Sequence, residues 1–477
     1  MSIKVSFTVC AWVLGTGLSP SAWAQSVANA AAVAATPAVT ITATATTMSA
    51  AADSASTVNL AQALRAARQN LDVSLAQRAL AAAQADIRAA DRAPTPVLSG
   101  KFSQMDLQHG VGAGNALTQK RIDKALGLDW TYERGNKRAL RTQAAKASAS
   151  AAQADVEDVQ LQQLLATHAA YFDTLAAQER VEQVGAMAQS ARQLANTAAQ
   201  RVKVGDLAAQ DASRTEIEAE RAQADTVSAR LDAQRAGLYL SQLMGQNLST
   251  TAKDLNNGLK VESEWPSRHD SNGVLAINSE AKQLPLSSGE LAALVEQRAE
   301  VRAAADRVQA AQALADNAAA LKRADITIGS SIDHFPGTST RLLELRAQMP
   351  LQGFLGSYNY EGEVARALAL LAQAQDALEK TRFMAQNEMQ RQQQELLAAG
   401  ARVQTYQSDI VPRARKVADL AELAFNRGAM SLTDLLDARR TLRATLLDAI
   451  TARADHARAL GAWTLRTAPQ TLLGAAP

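Results

Sequence analysis

The side chains whose type and spacing could do chemistry are three aspartates that follow two glycines. Asp434 and Asp437 follow Gly428, and Asp211 takes the place of Asp434 when Gly205 is aligned with Gly428. Carboxylates held close together attract cations and raise one another's pKa. Within a single chain, however, the simpler interpretation is negative charge near the start of a helix, where the helix dipole favours it. Whether the three carboxylates come close together depends on the helices and turns that carry them.

The first of these elements is a long helical hairpin. A helical pattern without proline runs from Asn136 to Val204, which corresponds to roughly 100 Å of helix. Gly205 is expected to end it, because the residue after a helix often needs a left-handed backbone. A returning helix is predicted from about Ala208 to Met244.

A second hairpin repeats this plan. Its pattern runs from Tyr360 to Asn426 with interruptions at Gly400 and Pro412, and the latter is expected to kink or divide the helix. Gly428 turns the chain. Ser431 or Thr433 is expected to cap the returning helix, which is predicted to end near Leu460 and Gly461.

Four stretches with a period of two precede the long helices in pairs, and each pair follows a predicted shorter helix, at 58–92 and 290–321. In one of them Leu128, Trp130 and Tyr132 alternate with polar residues. The apolar face of such strands meets either a soluble core or, in an outer-membrane strand, lipid. Trp130 and Tyr132 are predicted membrane-interface aromatics.

The order helix, strand, strand, long helix, turn, helix therefore occurs twice, which indicates a mainly α fold with a transmembrane β-barrel part. Four strands cannot close around a lumen in lipid, because bacterial barrels need at least eight. Several chains must share one barrel. Three copies would supply twelve strands, and their hairpins would continue the barrel as a periplasmic helical tunnel.

Export is predicted from the N-terminus, where an apolar stretch follows Lys4 and ends at the small-residue site Ala22-Trp23-Ala24. The predicted organisation is a signal peptide (1–24), a low-complexity leader (25–57), a first repeat (58–246), a connector (247–289), a second repeat (290–466) and a C-terminal tail (467–477).

Composition argues against other classes. The net charge is +2, so nothing indicates nucleic-acid binding. The single cysteine, Cys10, lies in the predicted signal peptide, and the five histidines lack metal-ligand spacing. No nucleophile elbow, phosphate-binding loop or dinucleotide fingerprint occurs, so neither an enzyme nor a cofactor is predicted.

The duplicated order and the segments around Gly205 and Gly428 resemble the TolC family of outer-membrane efflux channels over nearly all of 58–466. The resemblance implies a homotrimer in outer-membrane lipid that contacts a periplasmic adaptor and, through it, an inner-membrane RND-type pump. It also implies that Asp434 and Asp437 surround the periplasmic entrance, where a threefold axis would gather six carboxylates, and that Asp211 lies at the same entrance. The implied adaptor-contacting tips are Arg201, Gly205, Leu207, Arg427, Gly428, Ser431 and Leu432.

The chain departs from TolC at the tip, because Phe425 stands where that family has tyrosine and Met430 where it has arginine, so the bonds that close TolC cannot be assumed. The segments Glu133-Arg134-Gly135-Asn136-Lys137-Arg138 and Tyr360-Glu361-Gly362-Glu363 are similar to the CzcC-like branch, which serves heavy-metal pumps. Asn136 occupies a place where glycine is expected.

Two other interpretations stay open. A soluble periplasmic coiled-coil adaptor or scaffold would use the alternating stretches as a small soluble β-domain, although adaptors carry a single hairpin. An exported enzyme on a helical frame would need a catalytic constellation, which the sequence lacks. Strand stretches of roughly 9–11 residues, the length of a bilayer crossing, favour the channel.

Overall fold

The computed structural model describes residues 57–103, 122–245, 259–262, 264–266, 286–335, 339–351 and 358–467. The predicted signal peptide, nearly all of the leader, most of the connector and residues 468–477 lie outside the described residues. The described elements, in chain order, are helices α1 (Leu60–Ala67) and α2 (Leu71–Ala90), strands β1 (Val97–Ser103) and β2 (Asp123–Tyr132), helices α3 (Lys137–Lys203), α4 (Ala209–Leu243), α5 (Ser288–Gln297) and α6 (Ala299–Ala320), strands β3 (Ile326–Phe335) and β4 (Ser339–Gln348), helix α7 (Glu361–Thr405), a π-helical turn (Tyr406–Ile410), and helices α8 (Val411–Asn426) and α9 (Leu432–Thr467).

The duplicated order predicted from the sequence is confirmed, and each half shows one break that was not predicted. The first helix of each repeat divides in two, at Asn70 and at Arg298. Asn70 caps α2, and its side-chain amide also donates to the carbonyl of Leu243 at 2.8 Å. Arg298 takes an extended backbone with ψ of 138°. The apolar pattern of the sequence continues through both breaks, because a single capping residue or a single residue with an extended backbone is enough to end a helix.

The predicted end of the last helix is wrong. Helix α9 continues through Gly461 to Thr467. A Cβ atom on Gly461 would lie 1.9 Å from Cε1 of His168 in α3, so glycine here permits close packing of two helices rather than a stop. Gly400 likewise lies within α7 and does not interrupt it.

The second long run divides where Pro412 was expected to act. Proline lacks a backbone N–H, and its ring conflicts with the carbonyl four residues earlier. The turn before it widens into a π-helix, in which the Val411 N–H donates to the Tyr406 carbonyl five residues back. The chain then continues as α8 without a change of element type.

The four strands form one antiparallel sheet in the order β1-β2-β3-β4. The central pair joins the two repeats, because Trp130 of β2 lies opposite Ile328 of β3. Strands β1 and β4 are the edges of this sheet.

The long helices pack side by side in the same order as the strands. Nearer the sheet, α3 packs between α2 and α6, and α6 packs against α7. Beyond that level, α3 packs between α4 and α9, and α9 packs against α7 and α8. Helices α2 and α4 thus lie at one edge, and α7 and α8 lie at the other.

The largest buried cluster lies where α1, α3, α4 and the described part of the connector meet. Tyr171, Phe172 and Leu240 form it with Val261, and Trp265 packs against it, stacked on Phe172 at 6.0 Å between ring centroids. Elsewhere alanine supplies much of the buried surface, which lets helix backbones approach closely. Within the described ranges, none of the helices combines the length and the apolar character needed to cross a bilayer.

Candidate functional site

The first hairpin turns at Gly205 through main-chain hydrogen bonds. The Gly205 N–H donates to the Val202 carbonyl at 3.0 Å, and the Asp206 N–H donates to the Arg201 carbonyl at 2.9 Å. This is the Schellman pattern, in which the residue after the helix takes a left-handed backbone. Gly205 does so with φ of 81°. The glycine predicted to end the helix therefore ends it for the predicted reason.

The second hairpin turns at Gly428 in the same way. Gly428 has φ of 74°, and its N–H donates to the Phe425 carbonyl at 3.0 Å. The Ala429 N–H donates to the Ala424 carbonyl at 2.9 Å. Ser431 then caps α9, because its hydroxyl accepts from the Asp434 N–H at 3.2 Å. Of the two caps that the sequence allowed, the structure uses Ser431.

The two turns lie beside one another. The Arg201 guanidinium lies over the Phe425 ring, 5.2 Å from its centroid, and Arg201 also faces Asp206 at 3.8 Å. Phe425 is buried in a small cluster with Leu432 and Leu435. Phe425, which stands where TolC has tyrosine, therefore packs in the core of the tip and makes a cation–π contact with Arg201 of the other hairpin.

The three predicted entrance aspartates are all at the tips, but they make different contacts. Asp434 accepts from the Ser431 hydroxyl at 2.7 Å. Asp437 faces Arg440 at 3.5 Å, and Asp211 faces Arg214 at 3.8 Å. Arg201 faces Asp206 rather than Asp211. Within one chain these carboxylates do not form a shared cluster.

The predicted tip residues divide by exposure. Gly205, Gly428, Arg427 and Ser431 are exposed, and Arg201 and Leu207 are half-buried. Leu432 is only 5 % exposed and packs under the turn, so its side chain is part of the core of the tip rather than its surface.

Arginines on α9 form ion pairs that sequence patterns did not predict. Arg440 pairs with Glu218 of α4, and Arg443 pairs with Asp225 of the same helix. Arg439 contacts Glu422 of α8 at 3.2 Å. The two pairs with α4 join the hairpins just behind the tips, and the pair with Glu422 joins the two helices of the second hairpin. The partners on α4 and α9 are so far apart in the sequence that no local pattern reports their pairing.

The sheet has one apolar and one polar face, as the alternation predicted. Trp130 and Tyr132 lie on the apolar face, exposed by 46 % and 53 %, with ring centroids 6.2 Å apart. The other large exposed apolar residues of the strands include Leu98, Phe102, Leu126, Leu128, Ile328, Ile332, Leu343 and Leu345. Such a face needs an apolar environment, which the described part of the chain does not supply.

The polar face carries an ion pair across β3. Arg346 of β4 reaches Asp129 of β2 at 2.5 Å. It passes over Gly329, where a Cβ atom would lie 2.1 Å from the Asp129 carboxylate. A charged pair held on this face suits a wet environment.

The segments that resemble the CzcC-like branch lie where strands enter the long helices. Asn136 precedes α3 with φ of 58°, a left-handed conformation that glycine and asparagine tolerate better than other residues. This explains how asparagine replaces the expected glycine. Lys137 is buried and donates to Asp325 and to the Arg323 carbonyl, each at 2.8 Å. The first repeat is thereby tied to the start of β3. Tyr360 precedes α7 with φ of 57°.

His168 lies in the interface between α3 and α9. Its ring meets Gly461 and packs 4.9 Å from Phe172. Burial lowers the pKa of His168 to about 4, so the imidazole is neutral at physiological pH. Among the described residues, no three His, Cys, Asp or Glu side chains come together as metal ligands.

Comparison with known proteins agrees with this architecture. Residues 60–246 match the family model "Outer membrane efflux protein", a family of efflux channels. The chain is 25 % identical over 310 residues to cobalt-zinc-cadmium resistance protein CzcC of Cupriavidus metallidurans, covering 65 % of this chain and 68 % of that protein.

Solved structures share the fold at low identity. A membrane protein from Pseudomonas aeruginosa has a TM-score of 0.70 and 18 % identity, covering 87 % of this chain and 92 % of that one. The outer membrane protein VceC from Vibrio cholerae has a TM-score of 0.69 and 18 % identity, covering 85 % of this chain and 95 % of that one. Residues 60–246 therefore match the outer membrane efflux protein family, the chain is similar to CzcC over 310 residues, and it shares the fold of solved outer-membrane proteins such as VceC, in agreement with the resemblance to the TolC family.

Proposed function

We propose that three copies of this chain form the outer-membrane duct of a tripartite efflux system that exports heavy-metal cations. The exposed apolar face of the sheet is the observation that carries the proposal, because lipid is the environment that suits it. The N-terminal signal of residues 1–24 would direct export to that membrane.

The edges of the sheet support assembly from several copies. Strands β1 and β4 each leave one side unpaired among the described strands, and unpaired edges are not tolerated in lipid. Twelve strands from three copies close a barrel, with Asp129 and Arg346 on its lumen side. Trp130 and Tyr132 then sit in the interfacial belt at one end of the strands.

The mass of the detergent-extracted protein tests the assembly. We expect a trimer that is recovered from the outer-membrane fraction. Recovery as a monomer in the soluble periplasm would favour a coiled-coil adaptor or scaffold instead, with the sheet as a small soluble domain.

The entrance of the duct is proposed to be lined by Asp434, Asp437 and Asp211. A threefold axis at the tips would bring the carboxylates of three copies around one opening, where they attract cations. We expect Asp434→Ala with Asp437→Ala to reduce cation selectivity and block by multivalent cations in single-channel recordings. Asp232→Ala, an exposed aspartate far along α4, is the control. Unchanged selectivity in the double variant would remove the entrance role.

The tips are proposed to meet the helical hairpins of a periplasmic adaptor that is joined to an RND-type pump. Gly205 and Gly428 have open space around them, so an adaptor helix can approach closely. Arg201, Arg427, Leu207 and Ser431 flank this space, and Leu432 supports it from below. Gly428→Trp is expected to abolish co-purification of the adaptor while the trimer persists. Undiminished co-purification would contradict this contact.

The identity of the exported substrate is the most specific part of the proposal. CzcC is by its name a cobalt-zinc-cadmium resistance protein, and the chain is 25 % identical to it over 310 residues. A strain lacking this channel is expected to lose tolerance to cobalt, zinc and cadmium while tolerance to hydrophobic drugs stays unchanged. The reverse pattern would assign a drug cargo to the same duct.

A further inference from the structure

The polar face of the sheet carries more acidic than basic side chains. Directly opposite residues of antiparallel strands share a face, so the register shows which side chains lie on it. Among the strand side chains that the structure describes, the charged ones of this face are Lys101 on β1, Asp123 and Asp129 on β2, Asp333 on β3, and Glu344 and Arg346 on β4. Carboxylates therefore outnumber cations by two in each copy of this described face.

Two of these charges lie in one row across the sheet. The register sets Asp129 opposite Gly329, and Gly329 opposite Arg346. The Arg346 guanidinium donates to the Asp129 carboxylate at 2.5 Å, so the two side chains together bridge two strand spacings, roughly 10 Å between their backbones. The Ser99 hydroxyl of β1 donates to the other oxygen of this carboxylate at 3.5 Å. The resulting Asp129–Arg346 row extends over all four strands.

Two glycines leave the space that the row occupies. A Cβ atom on Gly329 would lie 2.1 Å from the Asp129 carboxylate and 3.3 Å from the Arg346 guanidinium. A Cβ atom on Gly127 would lie 2.7 Å from the Ser99 hydroxyl. A larger residue at Gly329 would push the two charges apart. The ion pair therefore depends on the absence of a side chain between its partners.

The carboxylate of Asp129 holds the Arg346 guanidinium in place. The Arg346 Nε–H is buried and has no hydrogen-bond partner in the described part of the chain, so it does not fix the side chain. The side chains of Asp129 and Arg346 are still 21 % and 40 % exposed, respectively. A carboxylate whose charge is compensated at this distance attracts a further cation only weakly.

The row lies near the end of the strands that leads into the long helices. Asp129 is three residues from Tyr132, the last residue of β2, which is roughly 10 Å along the strand. Glu344 lies one pair of residues further from the helices than Arg346. In the proposed duct, a cation leaving the helical tunnel would pass Asp129 before the other charges of the described strands.

We infer that Arg346 is a specificity-determining residue of the duct: by neutralising Asp129 it prevents divalent cations from being retained at the inner end of the lumen. This inference rests on the proposed duct and assigns a role to one row of its wall. A conducting passage must attract its cargo enough to admit it and yet release it. Three unpaired aspartates at one level would hold divalent cations, for which carboxylates are ligands. The remaining carboxylates keep the lumen attractive to cations.

Single-channel recordings test the role of Arg346. Under a salt gradient the reversal potential reports selectivity whatever the number of inserted channels. Arg346→Gln is expected to increase cation selectivity and to tighten block by Co²⁺ roughly tenfold, because Asp129 is then uncompensated in every copy. Asp129→Asn should shift both quantities in the opposite direction, since it leaves the guanidinium uncompensated. The double variant should lie between the two single variants.

The entrance aspartates could mask these shifts, because they too attract cations. The same variants are therefore also recorded with Asp434→Ala and Asp437→Ala present. The differences between Arg346→Gln and Asp129→Asn are expected to persist in that background. Their disappearance would assign the selectivity to the entrance and overturn the role of Arg346.

A glycine substitution tests the geometry without changing any charge. The methyl group of Gly329→Ala should separate Asp129 from Arg346, and we expect it to tighten block by Co²⁺ by less than Arg346→Gln does. Gly100→Ala on the apolar face is the matched control, because nothing lies within 4 Å of the added carbon. Equal block in the two glycine variants would show that the pairing does not matter.

The outcomes separate this inference from the proposed function. Trimeric channels with the same reversal potential and the same Co²⁺ block in the wild type and both single variants overturn the role of Arg346 and leave the duct intact. Shifts in the same direction in both single variants would make the ion pair purely structural and overturn it as well. A monomeric mass in detergent, without channels, overturns the duct and this inference together.

Discussion

The two hairpins reach their tips by different routes. Helix α3 is unbroken over 67 residues, whereas the corresponding run from Glu361 to Asn426 passes through a π-helical turn before Pro412. Both runs begin after a left-handed residue, Asn136 or Tyr360, and both end in a Schellman turn. The ends of the repeat are therefore alike and its middle is not. The residues at the two ends determine where each helical run starts and stops, so an irregular turn in the middle of a run is tolerated.

The caps show a second difference. Ser431 caps α9 through its hydroxyl, but its counterpart Ala208 precedes α4 without a side-chain cap. The second tip is thus held by one more side chain than the first. The predictions below transfer features between the hairpins, from the largest expected effect to the smallest.

Introducing a proline at the matching position of the first hairpin should destabilise helix α3. Gln189 of α3 stands as far before Gly205 as Pro412 stands before Gly428, and its side chain is exposed. Gln189→Pro is expected to lower the free energy of unfolding by about 3 kcal/mol or more, because α3 has no widened turn to receive it. Denaturant unfolding in detergent, followed by circular dichroism, measures the loss. Gln189→Ala is the control, and a loss equal to that of the control would mean that α3 adapts as α8 does.

Acidification should loosen the contact between the hairpins at His168. The pKa of His168 is about 4 in the folded chain against an ordinary value near 6.5, so the folded state binds fewer protons. Its contribution is fully present above about pH 6.5 and is lost as pH falls towards 4, up to about 3 kcal/mol. His168→Gln should flatten this part of the stability-against-pH curve. If His168→Gln leaves the stability-against-pH curve unchanged, a group other than His168 causes the loss of stability.

Filling the gap at Gly461 tests the same contact from α9. Gly461→Ala drives a methyl group into the His168 ring and is expected to cost about 1–3 kcal/mol of unfolding free energy. Gly185→Ala in α3 is the matched control, since nothing lies within 4 Å of the added carbon. The control should gain up to about 1 kcal/mol from helix propensity. Equal effects at both glycines would contradict the packing.

Exchanging the caps should produce the smallest effects. Ala208→Ser is expected to stabilise the first tip by about 1 kcal/mol, and Ser431→Ala to destabilise the second by a similar amount. Hydrogen exchange at the first turns of α4 and α9 localises each change. Opposite shifts at the two tips would support the difference in capping, and identical shifts would argue against it.

Local chemistry explains what could be predicted from the sequence. The bounds of α3 follow from uninterrupted helical pattern and from Gly205, and the two faces of the sheet follow from strict alternation. The continuation of α9 through Gly461 was missed because a glycine that ends a helix and one that admits a neighbouring ring look alike in sequence. The pairs of Arg440 with Glu218 and Arg443 with Asp225 join residues more than 200 positions apart, which no periodicity reports.

The turns at Gly205 and Gly428 are closed by main-chain hydrogen bonds, so most of the side chains around them are not needed to keep the chain folded. The exposed side chains of a tip can therefore change in evolution without destabilising the helices that lead to it. The two tips then behave as exchangeable modules. Under the proposed contact with an adaptor, transplanting the residues around one turn into a distant relative would redirect a channel from one pump to another.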